Sequence, residues 1–275
     1  MSSFLTAIIG LVQGLTEFLP VSSSAHLAFF QKILNIEAGL ILDVAVHVGT
    51  ALAVIVVFRK QIALILGGFF KSLAKIISRK TKISLEYNNS YGFRFTLLLL
   101  CTSIPAAILG IAFEEAIGAA FDSLKFIGCA LLITGVVLWM SDFIKKGEKK
   151  DIFHVNMKDA LLIGLAQGIT IMPGISRSGM TICMALFLGL DRGTAANYSF
   201  LASLPVILGA GIFQVAKGGL SDGTTSSTAL LIGVLVSFLS GIIAVGLVKL
   251  LVKRNKYRYF SYYVWVLGIV MILFF

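Results

Sequence analysis

The chain has 275 residues, of which 58% are hydrophobic and only 13% charged, and its mean hydropathy is +0.97. Soluble domains carry about 25% charged residues, so this composition excludes an ordinary soluble protein and indicates an integral membrane protein. The net charge of +10 does not indicate a nucleic-acid partner, because the basic residues lie between apolar runs, where they determine membrane topology.

Two pairs of short apolar arms flank polar, helix-breaking stretches. Each arm is marginal or too short for a span of about 20 residues, so each pair predicts a re-entrant helical hairpin. Six longer apolar runs predict full spans, and a basic segment between the first two contains an amphipathic stretch that is expected to lie along the interface. In chain order these elements are hairpin one (Met1–Leu19 and Ala25–Leu34), span Leu40–Phe58, the basic segment Arg59–Arg94 with its amphipathic stretch Ile62–Ile77, spans Phe95–Phe113 and Leu124–Met140, hairpin two (Ala160–Met172 and Met180–Leu190), and spans Ala195–Ala216, Thr228–Leu251 and Tyr257–Phe275.

The two hairpins are copies of one motif. GLVQGLTEF, from Gly10, matches GLAQGITIM, from Gly164, in its glycine, glutamine and threonine positions. An odd number of spans separates the copies, so the second half must enter the membrane in the opposite orientation. We therefore predict an all-α polytopic membrane protein of one domain, residues 1–275, with an inverted-topology repeat: repeat one 1–141, a cytoplasmic linker 142–156 and repeat two 157–275.

The distribution of positive charge predicts which loops are cytoplasmic. If segment 59–94 is cytoplasmic, the same side holds all but four of the 23 lysines and arginines, the exceptions being Lys32, Lys125, Arg177 and Lys217. This is a positive-inside pattern. The charge pattern predicts that hairpin one enters the membrane from outside and hairpin two from the cytoplasm. The two polar tips should therefore meet near the midplane of the membrane.

The tip of hairpin two predicts an anion site. Its sequence, PGISRSG, breaks one helix and starts another, and the unpaired N–H groups of a helix start favour an anion. Ser176, Ser178 and Thr181 add hydroxyl donors, and Arg177 adds a planar fork that suits phosphate. The alternative is a helix cap with an arginine that reaches the interface, but an arginine inside an apolar hairpin is costly without a partner.

The tip of hairpin one carries acid–base groups. Gln13 and Glu17 share a helix face, so Glu17 could hold a divalent cation with the Gln13 carbonyl, act as a general base, or simply pair with Arg177. The serines at positions 22, 23 and 24 could cap the second arm, and one of them could be a nucleophile with His26 one turn away. Elsewhere, Asp43 and His47 share one face of a span, where they either support this site or stabilise the helix bundle.

The strings QGLTEFLPVSSSAH and PGISRSGMT closely resemble the undecaprenyl-diphosphate phosphatase family, also called the bacitracin-resistance family. The resemblance implies hydrolysis of a C55 polyprenyl diphosphate to the monophosphate, the lipid carrier of peptidoglycan synthesis, with a divalent cation and a site open to the outer side of the bacterial plasma membrane. By position it assigns functional roles to these residues: Gln13, Glu17, Ser22, Ser23, His26, Ser176, Arg177, Ser178 and Thr181. Gln13 stands where some family members have glutamate, which leaves one carboxylate in this tip.

The resulting hypothesis is a membrane phosphatase acting on a lipid diphosphate. Arg177, with Ser22, Ser176, Ser178 and Thr181, is predicted to bind substrate, and Glu17 with Gln13 to hold Mg²⁺ or Ca²⁺ unless Glu17 acts as the base. Ser23 is the preferred nucleophile and His26 its proton partner, while attack by water or by His26 stays open. The competing hypothesis is a polyprenyl-phosphate transporter or flippase without hydrolytic activity, since broken helices and a midplane anion site also occur in transporters. The expected partners are a polyprenyl diphosphate and membrane lipids, with no nucleic acid; a homodimer is left open.

Overall fold

The structure is a computed structural model that describes residues 2–36, 39–144, 151–217, 226–253 and 257–275. The basic cluster 145–150 of the predicted linker and most of the predicted loop 218–227 lie outside these residues. Within the described residues the regular structure is helical, as predicted. The α-helices are α1 Ser3–Thr16, α2 Ser23–Ile33, α3 Leu40–Val57, α4 Arg59–Ile77, α5 Ile83–Asn89, α6 Tyr91–Ala112, α7 Glu114–Phe121, α8 Leu124–Met140, α9 Met157–Ile169, α10 Arg177–Phe187, α11 Arg192–Ala216, α12 Ser227–Lys253 and α13 Tyr259–Phe274.

Each predicted span corresponds to one helix. Within the described ranges, α6, α8, α11 and α12 are long and apolar enough to cross a membrane. Helices α3 and α4 meet the same criterion as a pair that bends by 80°, and α13 is a shorter apolar helix of 16 residues. The protein is therefore an all-α polytopic membrane protein. The bend turns α4, the predicted amphipathic segment, sharply away from the direction of α3.

The arms of the two hairpins are short helices, as predicted. Helices α1, α2, α9 and α10 contain 14, 11, 13 and 11 residues, and helices of these lengths fall short of the roughly 20 residues that a span requires. Helix α1 is separated from α2, and α9 from α10, by a turn that contains proline. The re-entrant course of these hairpins in a bilayer stays a prediction.

The first arm of each hairpin packs against a long helix from the other half of the chain. Helix α1 contacts α12, and α9 contacts α6. The contacts use equivalent glycines: a Cβ atom on Gly10 would lie 2.6 Å from the carbonyl oxygen of Gly233, and one on Gly164 would lie 2.5 Å from that of Thr102. Small residues let two helix backbones approach this closely. Each repeat thus packs the first arm of its hairpin against a long helix of the other repeat, as expected of two copies of one unit. The inverted orientation of the repeats is still a prediction.

The end of the predicted linker is packed rather than solvated. Ile152 and Val155 are buried, and Nη2 of the buried Arg94 donates a 2.7 Å hydrogen bond to the Val155 carbonyl. His154 and Asp151 are exposed and contact each other at 2.7 Å. The Arg94 contact ties the segment that precedes α9 to the start of α6, the helix on which α9 packs.

Candidate active site

The tip of hairpin one is a tight turn between α1 and α2. Ser22 closes it with φ of 66°, a backbone region that residues other than glycine rarely adopt. Its hydroxyl caps α2 by accepting a 3.4 Å hydrogen bond from the Ala25 N–H. This geometry places Ser23 and Ser24 in the first turn of α2. Rare backbone conformations of this kind tend to occur at functional sites.

The tip of hairpin two is held by helix α8. Gly174 has φ of 96°, and a Cβ atom there would lie 2.4 Å from the Ile127 carbonyl oxygen, so the position requires glycine. The Thr134 hydroxyl donates to the Gly174 carbonyl at 2.9 Å and accepts from the Ser176 N–H at 3.1 Å. Ser176 then caps α10 by accepting from the Gly179 N–H at 3.2 Å. These contacts fix the position of Arg177, the first residue of α10.

The two tips are in contact, as the sequence predicts. The Arg177 guanidinium forms a hydrogen-bonded ion pair with Oε1 of Glu17. Ser178 donates to the Leu19 carbonyl at 3.1 Å, and the Gly174 N–H donates to the Ser24 hydroxyl at 3.4 Å. Residues about 160 positions apart in the chain thus form one polar cluster.

The Glu17 carboxylate is the centre of this cluster. Its Oε2 accepts a 2.9 Å hydrogen bond from Gln13 Nε2 and a 2.5 Å hydrogen bond from the Ser23 hydroxyl. Its Oε1 is taken by Arg177. Glu17 is only 7% exposed, so the opposite charge of Arg177 compensates a carboxylate that would be costly to bury alone. Ser23 therefore has a carboxylate, its natural proton acceptor, within hydrogen-bond distance.

His26 does not have the contact that the sequence predicts for it. Its Nδ1 lies 2.7 Å from the Ser22 carbonyl oxygen and its Nε2 lies 2.7 Å from the Tyr263 hydroxyl. A carbonyl can only accept, so Nδ1 carries the proton and Nε2 of the neutral ring accepts from Tyr263. The rings of His26 and Tyr263 also stack, with centroids 5.6 Å apart. Both ring nitrogens are thus engaged away from Ser23, and the residue hydrogen-bonded to Ser23 is Glu17.

His47 lies closer to the reactive groups than the sequence indicates. Its Nδ1 donates to the Asp43 carbonyl at 2.7 Å, and its Nε2 points toward Glu17 Oε2 at 3.8 Å. That distance is beyond a hydrogen bond but close enough for an ion pair when the ring is protonated. The Asp43 carboxylate accepts from Gln31 at 3.1 Å. Of the two alternatives for Asp43 and His47, the geometry supports a role beside the site rather than in the helix bundle alone. The only sequence signal for this role is their four-residue spacing, which puts both on one face of α3.

A cavity of about 970 Å³ opens beside the cluster. Of the predicted site residues, Glu17, Ser22, Ser23 and Arg177 line it, together with His47 and apolar residues of α11 such as Val206. Cavities of this size with mostly apolar walls and a few convergent polar groups suit small-molecule and lipid headgroup binding. Ser23, Glu17 and Arg177 thus lie on the wall of a cavity that also has apolar lining residues.

The remaining predicted substrate-binding residues lie behind this surface. Ser176, Ser178 and Thr181 are at most 2% exposed. The Thr181 hydroxyl bonds to the Arg177 carbonyl at 2.8 Å and to the Ser199 hydroxyl at 2.6 Å. In this arrangement the three hydroxyls hold the tip that carries Arg177, and substrate contact through them stays a prediction.

The residues present do not fit a resident divalent cation while the Glu17–Arg177 pair is closed. Both oxygens of Glu17 already have partners, and the described part of the chain contains no group of three or more histidine, cysteine, aspartate or glutamate residues that could hold a metal ion. Gln13 Oε1 is buried and accepts no hydrogen bond from the described residues. A single amide oxygen does not replace the several oxygens that Mg²⁺ and Ca²⁺ require.

A family model described as "Bacitracin resistance protein BacA" matches residues 6–270. The chain belongs to this family. BacA membership confirms the resemblance drawn from the two tip motifs, and it covers both hairpins and the predicted spans.

Curated BacA relatives align over almost their whole length. One from Alkaliphilus metalliredigens (strain QYMF) is 41% identical, covering 100% of this chain and 99% of the relative. Others from Thermosipho africanus (strain TCF52B) and Methanobrevibacter smithii are 41% and 37% identical and cover 96% of this chain. All three relatives are named undecaprenyl-diphosphatase.

Proposed function

We propose that this protein is an undecaprenyl-diphosphatase, which hydrolyses undecaprenyl diphosphate to the monophosphate and inorganic phosphate and so recycles the lipid carrier of cell-wall synthesis. The observation that carries the proposal is the 2.5 Å hydrogen bond from the Ser23 hydroxyl to Glu17 on the wall of the cavity. A carrier that only moves lipid has no need of a hydroxyl paired with a base. The names of the BacA relatives support the same activity.

In the reaction that this geometry favours, Ser23 attacks the terminal phosphorus and its proton passes to Glu17. The anhydride bond to the lipid monophosphate breaks, and the monophosphate leaves with the bridging oxygen, which takes the proton from Glu17. Water then attacks the phosphoserine with the ionised Glu17 as the base. Inorganic phosphate is released, and the departing Ser23 oxygen takes the proton back from Glu17. Arg177, next to both groups, stabilises the charge that develops on the transferred phosphoryl group. Direct attack by water activated by Glu17 is the alternative, and attack by His26 is disfavoured because its ring nitrogens are both engaged.

Substrate access and location complete the proposal. The lipid tail would follow the apolar wall of the cavity, and the diphosphate would occupy the end beside Arg177. We place the protein in the bacterial plasma membrane with the site open to the outer side, as the resemblance to the family implies. A homodimer is compatible with this arrangement and is not required by it.

The expected Mg²⁺ or Ca²⁺ stays part of the proposal. It would supply positive charge to a diphosphate that carries several negative charges. Because Glu17 has no free oxygen while it is paired with Arg177, no step above is routed through a cation on the protein.

The test is phosphate release from undecaprenyl diphosphate by the detergent-purified protein, with Glu17→Gln as the comparison. Hydrolysis by the natural sequence and its loss in Glu17→Gln are expected. The flippase alternative predicts no phosphate release by either protein, together with movement of polyprenyl phosphate across vesicles that contain the natural sequence. That result would overturn the proposal.

A further inference from the structure

Helix α4 has one face that packs against the protein and two that point outward. On the packed face, Ile65 is only 4% exposed, and Phe69 stacks on Phe93 of α6 with ring centroids 5.7 Å apart. A Cβ atom on Gly68 would lie 3.0 Å from Cα of Gly92, which is also in α6. This close contact fixes the rotation of α4 about its axis and so determines which residues face outward.

The first outward face of α4 is apolar. Leu66, Phe70 and Ile77 are 45%, 61% and 74% exposed. Their spacing of four and seven residues places them in one row along the helix. Such a row is unfavourable in water, whereas acyl chains of a membrane would cover it.

The second outward face of α4 is basic. Lys60, Lys71 and Lys75 are exposed, and their spacing of eleven and four residues, about three turns and one turn, also forms a row. Lys60 and Lys71 have no ion pair within the described residues, whereas Lys75 lies 3.4 Å from Glu86. Segment 59–82 contains seven lysines and arginines and no aspartate or glutamate, so neighbours in the sequence do not neutralise this lysine row.

The course of α4 places both rows at a membrane surface. Helix α4 leaves α3 at an angle of 80°, so it runs nearly parallel to the surface if α3 crosses the membrane. The rows are about 100° apart around the helix, because Phe70 and Lys71 are successive residues. An interfacial helix has this arrangement, with apolar side chains at the acyl boundary and lysines among the headgroups. The charge distribution predicts that this surface is the cytoplasmic one.

We propose that the lysine row of α4 binds anionic lipid headgroups, so that anionic phospholipid is enriched along this helix. Charge complementarity selects this partner, because clusters of about four to eight lysines and arginines on an amphipathic helix attract anionic lipids. A lipid without net charge would cover the apolar row but leave the lysines uncompensated. A second copy of the chain would bring the same positive row and be repelled. The inference does not depend on the proposed activity.

The test measures which lipid lies beside α4. Phe70→Cys is made in the full-length protein without its three native cysteines, labelled with bimane and placed in phosphatidylcholine nanodiscs, one molecule per disc. Increasing fractions of dibrominated phosphatidylglycerol or dibrominated phosphatidylcholine are included, and quenching reports how strongly each lipid binds at position 70. Phosphatidylglycerol should bind about tenfold more strongly than phosphatidylcholine. The preference should fall in about 1 M salt, where the Debye length is about 3 Å.

A second position shows whether the preference is local to α4. Leu239 of α12 is 59% exposed and lies in an uncharged stretch of its helix. Bimane on Leu239→Cys should be quenched equally by the two brominated lipids. The same preference at positions 70 and 239, or no quenching by either lipid at position 70, would overturn the inference.

A pair of double variants separates the lysine row from net charge. Lys60→Gln with Lys71→Gln should remove most of the preference at position 70. Lys125→Gln with Lys158→Gln removes the same charge from exposed positions outside α4 and should leave the preference unchanged. An equal loss in both double variants would also overturn the inference. Thermal unfolding in detergent confirms that both fold, and no outcome depends on phosphate release.

Discussion

The Ser23 hydroxyl lies 2.5 Å from Oε2 of Glu17, although a helix break separates the two residues in the chain. The break is what makes the contact, because the left-handed backbone of Ser22 turns α2 back and places Ser23 beside the last turn of α1. The Ser23 hydroxyl and the carboxylate that accepts its hydrogen bond therefore lie in a single hairpin, and the second hairpin contributes the guanidinium.

The first prediction compares two neighbouring serines. Ser23→Ala removes the proposed nucleophile and should reduce turnover roughly a thousandfold or more. Ser24→Ala is the matched control, because the Ser24 hydroxyl contacts Ser22 and the Gly174 N–H rather than Glu17, and we expect it to retain turnover within about tenfold. Phosphate release at saturating lipid diphosphate measures both. A loss of tenfold or less in Ser23→Ala would favour water as the attacking group.

The second prediction concerns the geometry of Arg177. Lysine keeps the positive charge but cannot contact two oxygens with a planar fork. One preplaced donor to a developing charge contributes about 3–4 kcal/mol, so Arg177→Lys should lose on the order of a hundredfold in turnover. The loss should appear in kcat, with thermal stability in detergent measured alongside. Equal kcat values for the two proteins would reduce Arg177 to a structural partner of Glu17.

The third prediction distinguishes positioning from proton transfer by His26. If the contact with Tyr263 is its main role, Tyr263→Phe should lower stability by about 1 kcal/mol, the value of one hydrogen bond. His26→Gln should then cost less stability in the Tyr263→Phe background than in the natural sequence, because the shared contact is already lost. Thermal unfolding of the two single variants and the double variant measures this coupling. Loss of turnover in His26→Gln with unchanged stability and no coupling would instead support the proton-partner role.

The fourth prediction tests the close packing of α1 on α12. Gly10→Ala would place a Cβ atom 2.6 Å from the Gly233 carbonyl oxygen, so the helices must separate, at a cost of about 1–3 kcal/mol. Gly246→Ala on α12 is the control, because no atom lies within 4 Å of the added carbon. Thermal unfolding should show a lower midpoint for Gly10→Ala only. Equal midpoints would mean that the contact between the two glycines does not determine the helix spacing.

The fifth prediction concerns orientation in the membrane. Ser84, near the start of α5, and Glu115, in α7, are both exposed, and the charge distribution places them on opposite sides. Single cysteines at these positions, in a background without the three native cysteines, should react with an impermeant reagent from the cytoplasmic side and from the outer side, respectively. Labelling of both from the same side would contradict the inverted repeat and the midplane site.

Structural features that depend on neighbouring residues in the chain, such as the helix breaks, could be predicted from the sequence. Proline marks both helix breaks, with a glycine beside it in hairpin two. Because the two hairpins also share a motif, the meeting of Glu17 with Arg177 followed from the repeat. Contacts that depend only on tertiary packing could not be predicted. Tyr263, the partner of His26, is 237 residues away, on a helix whose sequence is that of an ordinary apolar span. The approach of His47 to Glu17 likewise depends on how α3 packs beside α1. The bend between α3 and α4 agrees with the prediction of a span followed by an interfacial amphipathic stretch, because Arg59, Lys60 and Gln61 interrupt the apolar run between them.

The packing of α1 on α12 also sets the order in which the site can form during synthesis. Helix α1 is made long before α12, the helix on which it packs. Until α12 is inserted, hairpin one lacks the helix against which α1 packs, so the position of the Glu17 carboxylate is not fixed. The site is therefore completed only after α12 has been inserted, and we expect a chain truncated before α12 not to hold Ser23, the proposed nucleophile, in position even though every predicted site residue is already present.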